Sequence, residues 1–480
     1  MNFQLSPILD SSRAFIVKNS ELEGRFDPFF YTPQFHKVIK LEELSKYPIK
    51  KVSQVSHFVS DGIHKTPSYS EEGLPFIQVN NISEGIIDFD NNIKKVTDEW
   101  QSEVLDRYTP KAGDILVTKD GTIGIAATVP KKFKPFSIFV SVLAIRPRTD
   151  LVIPEYLRIL ISSDIVQKQI VRSTRGAVLA HLLLEETREL KIPIPSKKIQ
   201  TDIVSRIDRA KKQKKQKEAK AQRLLDSIDY YLLSELGIEL PEQEENTIQN
   251  RIFTKQFSEV SGGRLDPFYY QNHYEIIQGI LTGRSDTERL TELLQFIGSG
   301  NRPKGGVSNI DSGVLSFGGE HINNSCELEV SKPKYISQEF HDTHRKTETQ
   351  LKDLLLVKDG ATTGKIGIIE KTEHALKNIN EHLFILRTTE KINPHYLVSY
   401  LNSYVGQLQI KREITGGTVT GITRDTLLRI KVVVPNLKKQ TEIADQISNT
   451  RKQAKALQQE AKATLEKAKK DVEAIIFAKN

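Results

Sequence analysis

Few stretches of this chain carry residue types that could do covalent chemistry. Gly360-Ala-Thr-Thr-Gly364-Lys365 approaches a phosphate-cradling loop. It is one residue short of a nucleoside-triphosphate loop, and Ile366 stands where a Ser or Thr would hold magnesium. His341-Asp-Thr-His344 could set two imidazoles on one helical face, but no third ligand lies nearby, so it reads as a surface pair. Neither Gly-x-Ser-x-Gly nor His-Glu-x-x-His occurs, and no paired-carboxylate nuclease motif is evident. No catalytic constellation emerges.

The other candidates suit binding. They are polar, basic, glycine-containing loops. One set is His64, Lys65 and Thr66, then Lys119 and Thr122, then Arg172 and Arg175. The other is Asn301, Arg302 and Lys304, then Lys358 and Lys365, then Lys411 and Arg412. These side chains reach phosphates and base edges, and glycine lets a backbone come close. Any single loop could be an ordinary surface loop. The two parallel sets strengthen the binding reading.

The elements that must position them repeat once. Gly24-Arg25-Phe26-Asp27-Pro28-Phe29-Phe30-Tyr31 recurs as Gly263-Arg264-Leu265-Asp266-Pro267-Phe268-Tyr269-Tyr270. Asp114-Ile-Leu-Val-Thr-Lys119-Asp120-Gly121 matches Asp353-Leu-Leu-Leu-Val-Lys358-Asp359-Gly360. Pro154-Glu-Tyr-Leu157 matches Pro394-His-Tyr-Leu397, and Pro195 with Gln200 matches Pro435 with Gln440. The offsets stay between 238 and 240, so these are landmarks of one duplicated domain. Each copy is strand-rich, with runs such as Leu74–Val79, Asp114–Val117, Val140–Ile145, Leu354–Val357 and Leu383–Leu386. A helix is predicted near Pro154–Val171 and Pro394–Arg412, with Pro in its first turn.

A long amphipathic helix closes each copy. Over Ile199–Leu236 the apolar seam is Ile199, Ile203, Ile207, Ala210, Ala221, Leu224, Ile228 and Tyr231. Its partner over Gln440–Phe477 has Ile443, Ile447, Ala454, Leu457, Ala461, Leu465, Ala468, Val472 and Ile476. The fold expected is therefore α+β: two similar mixed α/β domains, separated by an antiparallel coiled coil of the two helices, with an internal pseudo-twofold. The boundaries follow as 1–195 and 258–435 for the domains, 196–237 and 436–480 for the spacer helices, and 238–257 for a linker. Lys211 to Lys217 puts a basic middle into the first helix, with Lys214 and Lys217 near the seam; that suits loose packing or a face turned to an anionic partner.

The repeated Asp27-Pro28-Phe29-Phe30 and Asp266-Pro267-Phe268-Tyr269 look like the Asp-Pro-Pro-Tyr loop of adenine N6-methyltransferases. The second Pro is Phe, and no Gly-rich strand-turn-helix for S-adenosylmethionine precedes it, so an aromatic wedge fits better. At 480 residues the chain should hold two to four domains, and the net charge of +8 favours an anionic partner. The single Cys326 leaves no internal disulfide or Cys-rich zinc site and suits a reducing compartment. With no signal peptide and no long apolar run, a cytoplasmic protein outside the membrane is expected.

Together these features resemble the specificity subunit of type I restriction-modification systems over essentially the full length. The features carrying the resemblance are Arg-Phe-Asp-Pro and Arg-Leu-Asp-Pro opening each copy, and the Lys-Asp-Gly turn after its strand. The closing signature is the third, running from Gly176-Ala-Val-Leu-Ala-His181 through Ile192-Pro-Ile-Pro195 to Gln200. Its second version runs from Gly416 through Val432-Val-Val-Pro435 to Gln440. Two departures stand out: Lys352-Asp353 for Gly113-Asp114, and Gly421 for His181. The resemblance implies a non-catalytic subunit with two target-recognition domains, each reading one half of a split site on double-stranded DNA. It implies two methyltransferase subunits and restriction/translocase subunits as partners. S-adenosylmethionine is expected on the methyltransferase, with no cofactor or metal in this chain. The alternatives are a variant system with a fused methyltransferase-nuclease partner, a stand-alone DNA-binding scaffold, or a diverged self-sufficient enzyme.

Overall fold

A computed structural model of the chain describes residues 10, 14–19, 22, 26–174, 181–240, 247–261, 263–307, 310–416 and 420–477. Part of the linker (241–246), Arg175, and parts of both closing signatures lie outside the described residues. The chain forms two compact units, residues 1–216 with 460–480 and residues 217–459. The division runs through both long helices, so each unit holds half of each, where the sequence pattern set the helices apart as separate spacers.

The first unit is built on an antiparallel sheet of β1 (Ser56–Asp61), β2 (Ile115–Thr118), β3 (Ala126–Thr128) and β4 (Val142–Pro147), in the order β1-β4-β2-β3. β2 and β4 are central and covered on both faces, which is why they read as continuous apolar runs. Ile115, Val117, Leu143 and Ile145 face one core, which also takes helices α1 (Pro154–Ile161) and α2 (Asp164–Ser173). Leu116, Val142 and Ala144 face a second core with Ile77, Phe136 and Ile138. A short strand, Ile49–Lys51, pairs with β5 (Lys191–Pro193) before the chain enters helix α3 (Lys197–Glu235).

The second unit repeats this plan. Its sheet comprises β6 (Leu294–Ser299), β7 (Leu354–Val357), β8 (Ile366–Ile368) and β9 (Leu383–Thr388), in the order β6-β9-β7-β8. Leu354, Leu356, Phe384 and Leu386 face one core while Leu355, Val357, Leu383 and Ile385 face another. Helices α4 (Pro394–Asn402) and α5 (Tyr404–Glu413) follow, then β10 (Lys431–Val433) paired with Thr287–Arg289, then helix α6 (Leu437–Phe477).

Each single helix expected after the sheet is two. The Ser163 hydroxyl donates to the Leu160 carbonyl at 2.6 Å, and Ser403 does the same to Tyr400 at 2.6 Å. Such local serine bonds compete with the backbone ladder and restart the helix at a new cap.

The glutamine of the closing signature has a structural role. Buried Gln200 accepts from the Ile153 amide at 2.8 Å and donates to the carbonyls of Leu151 and Pro195 at 3.1 and 2.9 Å. Gln440 makes the same three bonds to Asn393, Lys391 and Pro435, at 2.7, 3.2 and 2.8 Å. The root of each long helix is thereby latched to its own α/β body. Within the first unit Ile203 and Ile207 share a core with Val472 and Ile476. Within the second, Leu232 and Leu233 share one with Ile443 and Ile447. The start of one helix thus meets the end of the other, the antiparallel pairing expected. Lys211, Lys214 and Lys217 are half-buried on the inner side of α3, so the basic middle is not a purely solvated face.

Lys352 is one of the departures noted above. Gly113 has φ +87°, and Lys352 keeps the same left-handed backbone at φ +69°. A lysine there is strained by about 1 kcal/mol. Lys352→Gly is expected to raise the unfolding free energy by up to about 1 kcal/mol. A variant no more stable than wild type in urea titration would contradict this.

Candidate nucleic-acid interface

Register brings the binding candidates to one sheet edge in each unit. Asp61, the last residue of β1, is paired with Leu143, and Thr118, the last of β2, with Val142. The loops that follow, carrying His64-Lys65-Thr66 and Lys119-Asp120-Gly121-Thr122, therefore leave the sheet side by side. In the second unit Ser299 pairs with Phe384 and Val357 with Leu383. Asn301-Arg302 and Lys358-Asp359-Gly360 are adjacent for the same reason.

The first edge is organised by Asp61, which the sequence did not single out. Its carboxylate is only 2% exposed and accepts from Lys119 Nζ at 2.7 Å, from His64 at 3.2 Å and from Arg107. Burial opposes the charge, but the hydrogen bonds from Lys119, Arg107 and His64 outweigh it and hold the carboxyl below its ordinary range. A carboxylate with a depressed folded pKa stabilises the fold above its unfolded pKa, and that contribution is lost as pH falls through the folded value. Asp61→Asn should therefore lower the melting temperature near neutral pH, with the gap to wild type closing in acid. A gap that stays constant down to acid would show that the charge is not what matters.

Ser299 takes the place of Asp61 in the second unit, and Lys358 Nζ donates to its hydroxyl at 2.8 Å. The turn aspartates are also matched. Asp120 holds His181 Nδ1 at 2.5 Å, while Asp359 holds His382 Nδ1. Gly421, which pairs with Asp359 as His181 does with Asp120, cannot supply an imidazole. His382 from the turn into β9 supplies it instead. The two edges share a framework of Lys and Asp but present different side chains around it.

The remaining candidates divide. Thr66, Thr122, Asn301 and Lys304 are exposed at the edges. Lys65 pairs with Glu103 at 3.1 Å and Arg302 with Glu381 at 3.4 Å, both on the surface. Such exposed pairs contribute under about 1 kcal/mol and leave the cations available. Lys411 is exposed at the end of α5. Lys365 is half-buried beside a cavity of about 290 Å³ lined by Asn323, Thr362 and Gln407. Arg175 lies outside the described residues.

Arg172 and Arg412 pack inward on the opening motifs. Arg172 is 8% exposed, with its guanidinium 3.6 Å from the Phe30 ring centroid and Nε donating to the Phe30 carbonyl at 3.0 Å. Arg412 sits 3.9 Å from the Tyr269 ring centroid and donates to the Tyr269 carbonyl at 3.1 Å. Both clamp the opening motif onto the second helix after the sheet, a cation–π use that turns them inward. The same contacts explain the Asp-Pro motifs. Asp27 and Asp266 each cap a short turn, accepting from the amides of Phe30 and Tyr269 at 3.1 Å. They are caps in a packed motif. Phe29 and Phe268 stay about half exposed, as a wedge would.

Two further sequence fragments resolve. Gly360–Lys365 links antiparallel β7 and β8, and Gln407 donates to the Gly364 carbonyl at 2.9 Å. With no helix following the loop, it cannot cradle a triphosphate in the manner of a strand-loop-helix. His341 was expected at the surface. It is instead 3% exposed and bonded to Glu348 at 3.1 Å, because its helix packs that face inward, while His344 stacks on Phe340. Among the described residues no group of His, Cys, Asp or Glu could hold a metal ion. No described helix is long and apolar enough to cross a membrane.

Comparison with known proteins bears on the repeated domain. Residues 42–225 and 285–467 each match the type I restriction modification DNA specificity domain. The specificity subunit of the type I restriction enzyme EcoBI from Escherichia coli is 25% identical over 194 residues, which is 40% of this chain and 38% of that protein. The match thus spans well under half the length of that relative. A chain from a structural study of assembly and conformational transition in the type I R-M system is 15% identical. It aligns with a TM-score of 0.52, over 89% of this chain and 96% of its own length. The S subunit of a type I restriction-modification system from M. genitalium aligns over 91% of this chain and 97% of its own length, at 11% identity with a TM-score of 0.42. Two domain matches covering most of the sequence, falling on the two halves of the structural repeat, place this chain in the family of type I restriction-modification specificity subunits.

Proposed function

We propose that this subunit recognises a bipartite, asymmetric DNA site, one unit per half, and brings adenine-N6 methyltransferase and restriction subunits to it. The observation that carries the reading is the pair of sheet edges. Each presents a Lys-Asp turn on the same framework, yet His64-Lys65-Thr66 and His181 surround one while Asn301-Arg302-Lys304 and His382 surround the other. Two related readers with unlike side chains call for two unlike short elements with an unread gap between them. Twofold repetition of the chain also supplies two equivalent places for one partner, in keeping with two methyltransferase subunits. A specificity subunit is a DNA-recognition component and not an enzyme, so S-adenosylmethionine would belong to the methyltransferase, as would any flipped adenine.

Genome-wide mapping of N6-methyladenine with and without the gene tests the reading. One split motif should lose methylation when the gene is deleted; an unchanged methylome would sink the proposal. Stoichiometric binding of S-adenosylmethionine to the purified chain would favour a self-sufficient enzyme instead. Arg302→Ala and Lys304→Ala should each weaken DNA binding. A uniform loss with the salt slope reduced by about one marks a phosphate contact, and relaxed preference at one position marks a base contact. Unchanged affinity and preference in both variants would remove this loop from the interface.

A further inference from the structure

A cavity of about 440 Å³ lies in the first unit, between α1 and the helix pair. Several hydrogen-bond donors around it are unused. Arg158 is 3% exposed, and of its three guanidinium nitrogens only Nε is bonded, to Glu155 at 2.7 Å. Half-buried Lys211 makes no hydrogen bond or ion pair with the described residues, and only the more distant charges of Glu84, Glu155 and Asp208 attract it. The Ser162 hydroxyl is buried and also without a partner. Arg158 and Lys211 converge. A Cβ added to Gly85 would lie 2.9 Å from Lys211 Nζ and 3.5 Å from Arg158 Nη1.

Two adjacent cations and an orphaned hydroxyl in a recess are costly unless something anionic completes them. The acids lining the cavity are already engaged. Glu84 and Glu466 pair with Lys469 at 3.3 and 3.5 Å, Asp164 pairs with Lys168 at 2.7 Å, and Glu473 accepts from the Asp164 amide at 3.2 Å. Burial, then Arg158, lowers the Lys211 ammonium pKa, with Glu84, Glu155 and Asp208 opposing.

The second unit is an internal control. With the repeat offset of 240, Arg158 corresponds to Val398, Ser162 to Asn402, Lys211 to Arg451 and Lys469 to Asp229. Val398 is buried and apolar. The Asn402 amide is satisfied by the carbonyls of Ile366 and Val398 at 3.1 and 2.8 Å. Asp229 is a half-buried acid whose pKa burial raises, with the Tyr404 amide and then Arg451 opposing. The second unit therefore lacks both the buried guanidinium and the unpartnered hydroxyl at its version of the place. At the position of Asp229 the first unit has Lys469, which pairs with Glu84 and Glu466, and Glu473 takes the helix-start amide that Asp229 takes in the second.

We propose that the first-unit cavity binds a phosphate group, free or as a phosphomonoester, through Arg158, Lys211 and Ser162. A tetrahedral oxyanion offers enough acceptors for two guanidinium nitrogens, an ammonium and a hydroxyl together. The apolar wall of Ile159, Ile207, Leu465 and Val472 leaves room for an organic body on the phosphate.

The test uses the purified full-length chain, titrated with inorganic phosphate, with AMP, and with sodium chloride at matched ionic strength, followed by calorimetry and melting temperature. Phosphate or AMP should raise the melting temperature beyond the chloride control. Lys211→Gln and Arg158→Val should each weaken binding about tenfold or more. Ser162→Asn, which installs the second unit's side chain, should abolish it, and it guards against an unfolded Arg158 variant. Tighter binding of AMP than of phosphate assigns the site to a phosphomonoester, and equal binding assigns it to the phosphate group alone. No response beyond chloride, or a Lys211→Gln protein that responds like wild type, overturns the proposal.

Discussion

Exchanging residues 258–435 for the corresponding segment of another family member should change one half of the methylated DNA motif and leave the other half as it was. The expectation rests on how that segment is held. Its cores are closed within residues 217–459, and its sheet takes every strand from the second copy of the repeat. Its beginning and end meet where Thr287–Arg289 pairs with Lys431–Val433, beside the root of α6. The Gln440 latch to Asn393 and Lys391 is the same device as the Gln200 latch, so an exchanged segment should seat on α6 through a junction the fold already uses twice. No strand of the first unit is touched, and its edge of Asp61, Lys119 and His64 should keep its preference. Methylome sequencing of a strain carrying the hybrid measures this directly. A motif altered in both halves would mean that the units do not read independently.

Asp114→Ala should be among the most damaging single substitutions at the charged residues described. Asp114 is 1% exposed and accepts from Arg146 at 2.8 and 2.7 Å, from the Tyr108 hydroxyl at 3.0 Å and from the Lys111 amide at 2.8 Å. Burial, with Asp114 beside it, pushes the Tyr108 phenol well above its ordinary range, so it remains a donor. Removing the carboxylate strands a guanidinium, a phenol and an amide together. Losing one partner of such a pair costs about 3–5 kcal/mol when fully buried, and the partial exposure of Arg146 argues for the lower end, about 3 kcal/mol. Asp353, bonded to Arg387 at 2.8 Å through both oxygens and to the Gln350 amide at 2.6 Å, should behave alike in the second unit. Denaturant titration should show one unit melting early in each variant. A loss under about 0.5 kcal/mol would place the stability of this corner elsewhere.

What could be read from the sequence was whatever depends on neighbours in the chain. The duplication showed in motifs at a constant offset. The long helices showed in their seams, which period alone makes visible, and α3 and α6 run within three residues of the expected limits. The central strands showed as apolar runs because both faces are covered. The Lys-Asp-Gly turns were recognised as paired features, and register does bring them to equivalent edges.

What escaped the sequence depends on residues far apart in the chain. Asp61 becomes a hub only when residues 64, 107 and 119 reach it across strand and helix. Arg172 and Arg412 have the composition of phosphate contacts, but packing against Phe30 and Tyr269 turns their charge inward. His382 replaces His181 from a different loop, a substitution no alignment of positions would reveal. Lys211 belongs to a basic run that its seam neighbours Lys214 and Lys217 placed inward, but that α1 and α6 enclose it is visible only in the fold. Periodicity and capping act over a few residues and leave their mark in the order of side chains. The direction in which a charged side chain points is decided by whichever long-range neighbour satisfies it, and only the tertiary fold selects that neighbour.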